Sequence, residues 1–417
     1  MGKTPKDWSY LVYIAGDNNL SKFGLKDISE LEKVGSNQHT SIFVEFDSQG
    51  EFRGTVRFQI PQINPLTGIA NRTILKLLKN TDSGDPHTLS DFLHYGKTLF
   101  PAKNYCVVIW NHGSGFRESD SSKRSRIVFR KSSAFQKIKK EQNARGIARD
   151  DMTGNALDMK ELGSVLKKSG FVKENKIGLL GFDACLMNMV EVAYEMSPYA
   201  KFLVGSEDLE PGYGADYTAN ARSINKKGIS PQQLTEEFVN NFHKYYSKPT
   251  MKREWPTTQS GIDLSHTNVL AKCINQFAKA LLLYLPKHLM KISEIREEVQ
   301  VYAPFDDFDD YVDIGDLANL CRDLHNKEVT KTANELLLSL KDVVVENKTH
   351  GKEVKYSTGI TIWFPESQHK FKQHERPYKT LSFTKKYSNW MKFLSEYHIE
   401  TRLQKRSIRK LSWYRTN

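Results

Sequence analysis

Short apolar, β-branched runs alternate along this chain with longer stretches of helical periodicity. Residues 10–14, 41–46, 56–60, 105–110, 177–182, 202–205 and 359–364 read as strands. Apolar residues at three- and four-residue spacing predict helices over 88–99, 158–168, 186–196, 231–245, 269–285 and 329–345. Strands that are apolar on both faces need cover on both faces, so the pattern predicts an α/β fold with a mainly parallel sheet between helix layers. In such a sheet, functional side chains gather just beyond the carboxyl ends of the strands.

Two regions break the alternation. Residues 117–146 are rich in Ser, Lys and Arg with little periodicity, and a structureless loop of that length is uncommon inside a compact domain. It reads either as a solvated surface insertion or as a protease-sensitive activation loop. After residue 290 the character changes again: an acidic stretch at 305–316 precedes a helix and a final strand. The expected division is a core of residues 1–290, a C-terminal α/β subdomain of 291–400 packed on the same sheet, and a basic tail of 401–417. The apolar run after residue 7 is short, lacks a small-residue cleavage site and leads into Asp17-Asn18-Asn19, so it is expected to be a first strand rather than an export signal. No window approaches 18 uninterrupted apolar residues, so no membrane span is expected.

Charge refines the picture. The net charge is +12, of which 117–140 carries +7 and 401–417 carries +6, leaving the remainder at −1. The excess therefore sits in one loop and one tail, without interleaved aromatics or a nucleic-acid-binding motif, and no nucleic-acid partner is expected. The four cysteines, Cys106, Cys185, Cys273 and Cys321, form no CxxC pair, which argues against a zinc site and a disulfide scaffold.

Chemistry concentrates at two strand ends. One apolar run, 105–110, leads into Asn111, His112 and a Gly-Ser-Gly turn, where a histidine can face a cleft and the glycines permit close backbone approach. Another, 177–182, ends at Asp183-Ala184-Cys185 and is followed by the helical pattern 186–196. A thiol opening a helix sits near the positive end of its dipole, which favours the thiolate. Cys106 and Cys273 lie inside apolar patterns and fit the inert, buried fate usual for cysteine. If the two strands are neighbours, their ends bring Cys185 and His112 together, the minimum apparatus for nucleophilic acyl transfer, with the N–H groups of Gly113 and Cys185 available to a developing oxyanion.

In its motifs the chain resembles the clostripain cysteine peptidases, relatives of caspases, gingipains and legumains. The matching blocks are WSYLVYIAGDNNL, VVIWNHGSG, ARDDMTGNALDMKEL, KIGLLGFDACLMNMVEVAYEM, FLVGSEDLEPGYG and GITIWFP, in order from about residue 8 to about residue 365. The resemblance implies a caspase-like α/β/α sandwich, endopeptidase action on polypeptides, His112 as base and Cys185 as nucleophile. It also implies self-cleavage between these two residues, an interval that contains the basic loop.

A cut there is expected after Arg124, Arg126, Arg130, Lys131, Lys139, Lys140 or Arg145, giving a monomer of two associated fragments. The resemblance further implies cleavage after Arg or Lys, held by Asp183, which by strand alternation shares a face with Cys185. Asp183 reads alternatively as a cap of the following helix. Relatives with basic specificity commonly carry an Asp where this chain has Tyr213. Asp208 or Asp216 on the same loop can substitute, or Tyr213 can stack on an arginine. No cofactor is expected to be required. Some relatives need calcium, but the acidic 305–316 stretch lacks the DxDxDG spacing of a calcium loop. The alternative from another class is a catalytically silent caspase-like scaffold that binds partners through its basic loop and tail.

Overall fold

The computed structural model describes residues 4–49, 54–117, 146–249, 255–303 and 310–416. Its strands are β1 (Lys6–Gly16), β2 (Thr40–Ser48), β3 (Gly54–Ile60), β4 (Thr73–Leu78), β5 (Ala102–Trp110), β6 (Ile177–Asp183), β7 (Ala200–Gly205), β8 (Thr257–Asp263), β9 (Tyr311–Asp313), β10 (Val344–His350) and β11 (Thr361–Trp363). Nine of them form one sheet in the order β10-β8-β7-β6-β5-β1-β2-β3-β4. The five central strands, β7 to β2, are parallel, and each edge carries two antiparallel strands.

The helices are α1 (Ser21–Glu32), α2 (Pro86–Leu99), α3 (Met159–Lys168), α4 (Val190–Met196), α5 (Tyr217–Ile224), α6 (Pro231–Tyr246), α7 (Thr267–Glu298), α8 (Ile314–Arg322), α9 (Lys327–Val343), α10 (Gln368–Thr380), α11 (Ser382–Lys386) and α12 (Asn389–Thr416). Strand alternation builds the two layers. On β1, Trp8, Tyr10, Val12 and Ile14 join a core shared with α1, α5 and α6. Leu11, Tyr13 and Ala15 join the opposite core, shared with α2, α3, α4 and α7. Period-two side chains on a central strand thus feed both faces, which is the expected α/β/α sandwich.

The helix starts written in sequence hold where a cap is present. Asp158 and Glu161 form a capping box on α3, and Ser230 and Gln233 form another on α6, with Pro231 in its first turn. Three of the expected elements change. The helix expected from 186 begins only at Val190, because the chain turns through Leu186 at φ +62° before Met189. The helix expected to reach 345 stops at Val343, and its last residues start β10, which pairs with β8 at the sheet edge. The strand expected at 359–364 lies outside the main sheet, pairing with β9 as a two-stranded ribbon. The boundary expected at 290 falls inside α7, and one hydrophobic core runs from β1 to Tyr397, so both parts share that core.

Candidate active site

β5 and β6 are neighbours in parallel register, with Trp110 opposite Asp183. The ladder continues one step further through Asn111 N–H donating to Asp183 O at 3.2 Å. His112 and Cys185 each lie two residues beyond the Trp110–Asp183 pair, so both leave the sheet at the same level. The chains stay in contact there: a Cβ added at Gly113 would collide with the Cys185 carbonyl oxygen. The glycine expected to admit a substrate backbone therefore admits the backbone of Cys185.

Cys185 is half-buried, and Cys106, Cys273 and Cys321 are likewise free thiols. Its Sγ accepts a hydrogen bond from Glu210 N–H at 3.2 Å. The helix-dipole reading of this residue does not hold, since α4 starts five residues later with no side-chain cap. Instead burial, with the nearby carboxylates of Glu210 and Asp208, pushes the thiol up to about 12, against the Glu210 N–H bond that favours the thiolate. The turn after Cys185 is held in the left-handed region by Leu186 N–H to Asp208 O (3.1 Å) and Asn188 N–H to Ser206 O (3.0 Å). A buried leucine at positive φ is strained, and these bonds sustain it.

His112 is half-buried, and burial with the Arg149 charge lowers it to about 4 against the opposing charge of Asp151. At neutral pH the site therefore holds a neutral imidazole and a neutral thiol. The Nε2 atom of His112 is 2.8 Å from Asn19 Oδ1, a partner that sequence reasoning did not single out. Among the described residues, the Gly113 and Cys185 amides have no backbone acceptor, whereas Ser114 N–H donates to Gly146 O.

Asp183 is buried, and burial raises its carboxyl against hydrogen bonds from Glu210 and from Tyr217 Oη at 2.9 Å. Beyond the strand end the alternation expected to carry Cys185 to the same face is lost. Asp183 faces α5 and Asp27 of α1, while Cys185 packs on the opposite core. The residue that joins them is Glu210, whose carboxyl hydrogen-bonds to Asp183 and is raised well above the usual range by burial and by that neighbour. Asp208 instead accepts from Leu209 N–H and Ala303 N–H, and Asp216 caps α5 through Ala219 N–H. Tyr213 is half-exposed, edge-on to Phe23, with the Lys26 ammonium 5.5 Å from its ring centroid.

Arg124, Arg126, Arg130, Lys131, Lys139, Lys140 and Arg145 lie outside the described residues. The ends of that segment are tied together: Ser114 N–H donates to Gly146 O at 3.2 Å, and Gly146 N–H donates to Ser114 Oγ at 2.7 Å. The described part of the acidic stretch is committed internally. Asp310 pairs with Arg117 at 2.7 Å, and Asp313 caps α8 and accepts from Thr358. A different group of carboxylates, Asp17, Asp47 and Asp150, is buried with oxygens within 4.8 Å of one another. Burial and the neighbouring charges of Asp150 and Asp17 push Asp47 up to about 7. Three carboxylates so placed form a hard-oxygen donor set of the kind that suits calcium.

A caspase-like α/β/α sandwich with a cysteine and a histidine ending adjacent central strands is thus the class this molecule represents. A model of the clostripain family matches residues 12–397, and the chain belongs to that family. It is 26% identical over 228 residues to clostripain of Hathewaya histolytica, a match taking in 50% of this chain and 40% of that protein's length. A secreted C11 cysteine protease from Bacteroides thetaiotaomicron, solved with an irreversible peptide inhibitor, superposes with a TM-score of 0.66 at 17% identity, over 91% of this chain and 98% of that one. An inactive zymogen C11 protease from Parabacteroides distasonis gives 0.68 at 21% identity, over 93% and 99%. At such identities the likeness is one of fold.

Proposed function

We propose that this protein is a cysteine endopeptidase in which Cys185 attacks the scissile carbonyl and His112 carries the proton. The observation that supports it most is the β5–β6 register, which sets both residues at one level beyond adjacent strands. With the thiol and imidazole both neutral at rest, His112 acts as a general base at the moment of attack: the S–H proton moves to the imidazole as the carbon–sulfur bond forms. The imidazolium then protonates the leaving amine as the carbon–nitrogen bond breaks. The Gly113 and Cys185 amides supply the oxyanion donors. Water hydrolyses the thioester with His112 again as base.

Cleavage after Arg or Lys is supported by the buried Asp183–Glu210 carboxyl pair. A guanidinium is the better ligand, because its planar fork serves two oxygens at once. Activation proceeds by a cut within 117–146. The hydrogen-bonded ends of that segment support this, since both fragments keep their anchors after cleavage. If calcium binds, Asp17, Asp47 and Asp150 hold it and it neutralises their mutual repulsion. The chemical step itself needs no cofactor.

The test is purification of wild type and Cys185→Ala. Wild type is expected to hydrolyse peptides and to convert to two associated fragments, while Cys185→Ala stays one inactive chain. Robust hydrolysis by Cys185→Ala would overturn the assignment, and no hydrolysis by wild type would favour the catalytically silent scaffold.

A further inference from the structure

The imidazole of His112 has two nitrogens, and the neutral ring carries its proton on one of them only. Asn19 presents its amide oxygen to Nε2 at 2.8 Å. A carbonyl oxygen only accepts, so the ring proton belongs on Nε2, and Nδ1 is left with its lone pair. We propose that Asn19 is a positioning residue for the cysteine chemistry: it holds His112 in the Nε2–H tautomer, so that Nδ1 is the atom that takes the thiol proton. This rests on the Cys185–His112 reading given above.

The contact is built rather than incidental. Asn19 sits in the corner between β1 and α1, and the residue before it, Asn18, is fully buried. Asn18 Nδ2 donates to Ala15 O at 2.8 Å and to Arg149 O at 3.3 Å. Asn111, the residue before His112, donates from its own Nδ2 to the same two carbonyls, at 2.5 Å and 2.8 Å. The two members of the pair are therefore each preceded by an asparagine hung from the same pair of acceptors. Asn18 Oδ1 also receives Leu20 N–H at 2.9 Å, and Asn111 Oδ1 receives His112 N–H, so both amides are fixed in orientation. Two separate chain segments, one ending β1 and one ending β5, are thereby held at a set spacing, and Asn19 meets His112 across it.

The consequence for the reaction follows in proton terms. As Cys185 attacks, its proton moves to Nδ1 and the ring becomes a cation. The Nε2–H donor to Asn19 is then charge-assisted and stronger than in the resting state, so the contact favours the transition state over the ground state. An amide stabilises that cation without competing for its proton, as a carboxylate would. In this role Asn19 acts through the ring.

The experiment compares Asn19→Ala and Asn19→Asp with wild type, using kcat and KM for a fluorogenic peptide across pH, with His112→Ala and Cys185→Ala as reference variants. Asn19→Ala is expected to lower kcat about 10- to 100-fold with KM nearly unchanged, a range typical of losing one orienting contact. Asn19→Asp, which keeps the acceptor and adds a charge, is expected to recover most of the activity and to move the acid limb up by about one pH unit or more. The ring tautomer gives a readout independent of turnover: 15N chemical shifts of His112, measured on the Cys185→Ala chain, are expected to report Nε2–H, and to report a mixture when Asn19→Ala is added. An Nδ1–H tautomer in that spectrum overturns the proposal. So does Asn19→Ala with wild-type kcat and pH profile while His112→Ala is inactive. Full activity in His112→Ala would instead strike the underlying Cys–His reading, which keeps the two failures distinct.

Discussion

Glu210 N–H donates to Cys185 Sγ at 3.2 Å, while the carboxyl of the same Glu210 hydrogen-bonds to Asp183. One residue thus ties Cys185, packed on one layer, to the acid buried in the other. Its backbone favours the thiolate and its carboxylate opposes it.

The opposition predicts the behaviour of Glu210→Gln. The substitution keeps the N–H donor and removes the carboxyl whose ionisation opposes the thiolate, so the Cys185 thiol should titrate lower than in wild type. Alkylation by iodoacetamide, followed across pH on the full chain, should accelerate several-fold near pH 8. An unchanged pH–rate profile would show that the Glu210 charge has no hold on the sulfur.

Selectivity should follow the buried acids rather than the exposed turn. Asp183→Asn is expected to reduce kcat/KM for an Arg peptide more than about tenfold, with a smaller effect on an Ala peptide, as for loss of one partner of a buried charge-assisted contact. Tyr213→Asp should do little to raise the Arg preference, because the Lys26 ammonium already lies over that ring and would pair with the new carboxylate. Equal losses for Arg and Ala peptides in Asp183→Asn would remove Asp183 from the specificity pocket.

Glu191 of α4 makes the fold itself pH-dependent. It is fully buried, accepts from Trp363 N–H at 3.0 Å and Tyr378 Oη at 2.7 Å, and burial raises it to about 7. The native chain therefore binds a proton there that the unfolded chain releases near its ordinary value of 4.5. The associated stability is fully present below 4.5, declines as pH rises, and is lost once pH passes about 7. The loss is on the order of 3 kcal/mol. Glu191→Gln keeps both acceptor contacts without the titration, so its denaturation midpoint should vary less between pH 5 and 8 and exceed wild type at pH 8. Parallel curves for the two proteins would reject this linkage.

The Asp17–Asp47–Asp150 group should respond to calcium. Relief of repulsion among three buried carboxylates is expected to raise the melting temperature by about 2 °C or more at saturating calcium. Asp47→Asn should lose the response, as should chelation in wild type. Melting curves that calcium leaves unmoved would leave these aspartates as internal polar structure.

Much of this was legible in residue order. Apolar runs such as 105–110 and 177–182 announce buried parallel strands, because only a strand covered on both faces is apolar at every position. His112 and Cys185 stand at the ends of those runs, so candidate chemistry could be named without coordinates. Elements lying at sheet edges were harder to read. β8 (TTQSGID) and β10 (VVENKTH) carry polar side chains, and their strand conformation comes from the ladder each makes with a neighbour.

What the sequence determined by itself was the periodicity, and with it the layered architecture and the candidates for the reactive residues. Tertiary structure alone decided their environment. Cys185 was expected at a helix start, yet a left-handed Leu186, pinned by the 206–208 loop, delays α4 and leaves burial and carboxylates to set the thiol. Glu210 and Asn19 are distant in sequence from the groups they contact, at separations of 25 residues from Cys185 and 93 from His112. Neither contact has a local pattern that could announce it. Each exists because parallel strands bring their carboxyl ends, and the loops that follow them, to one edge of the sheet.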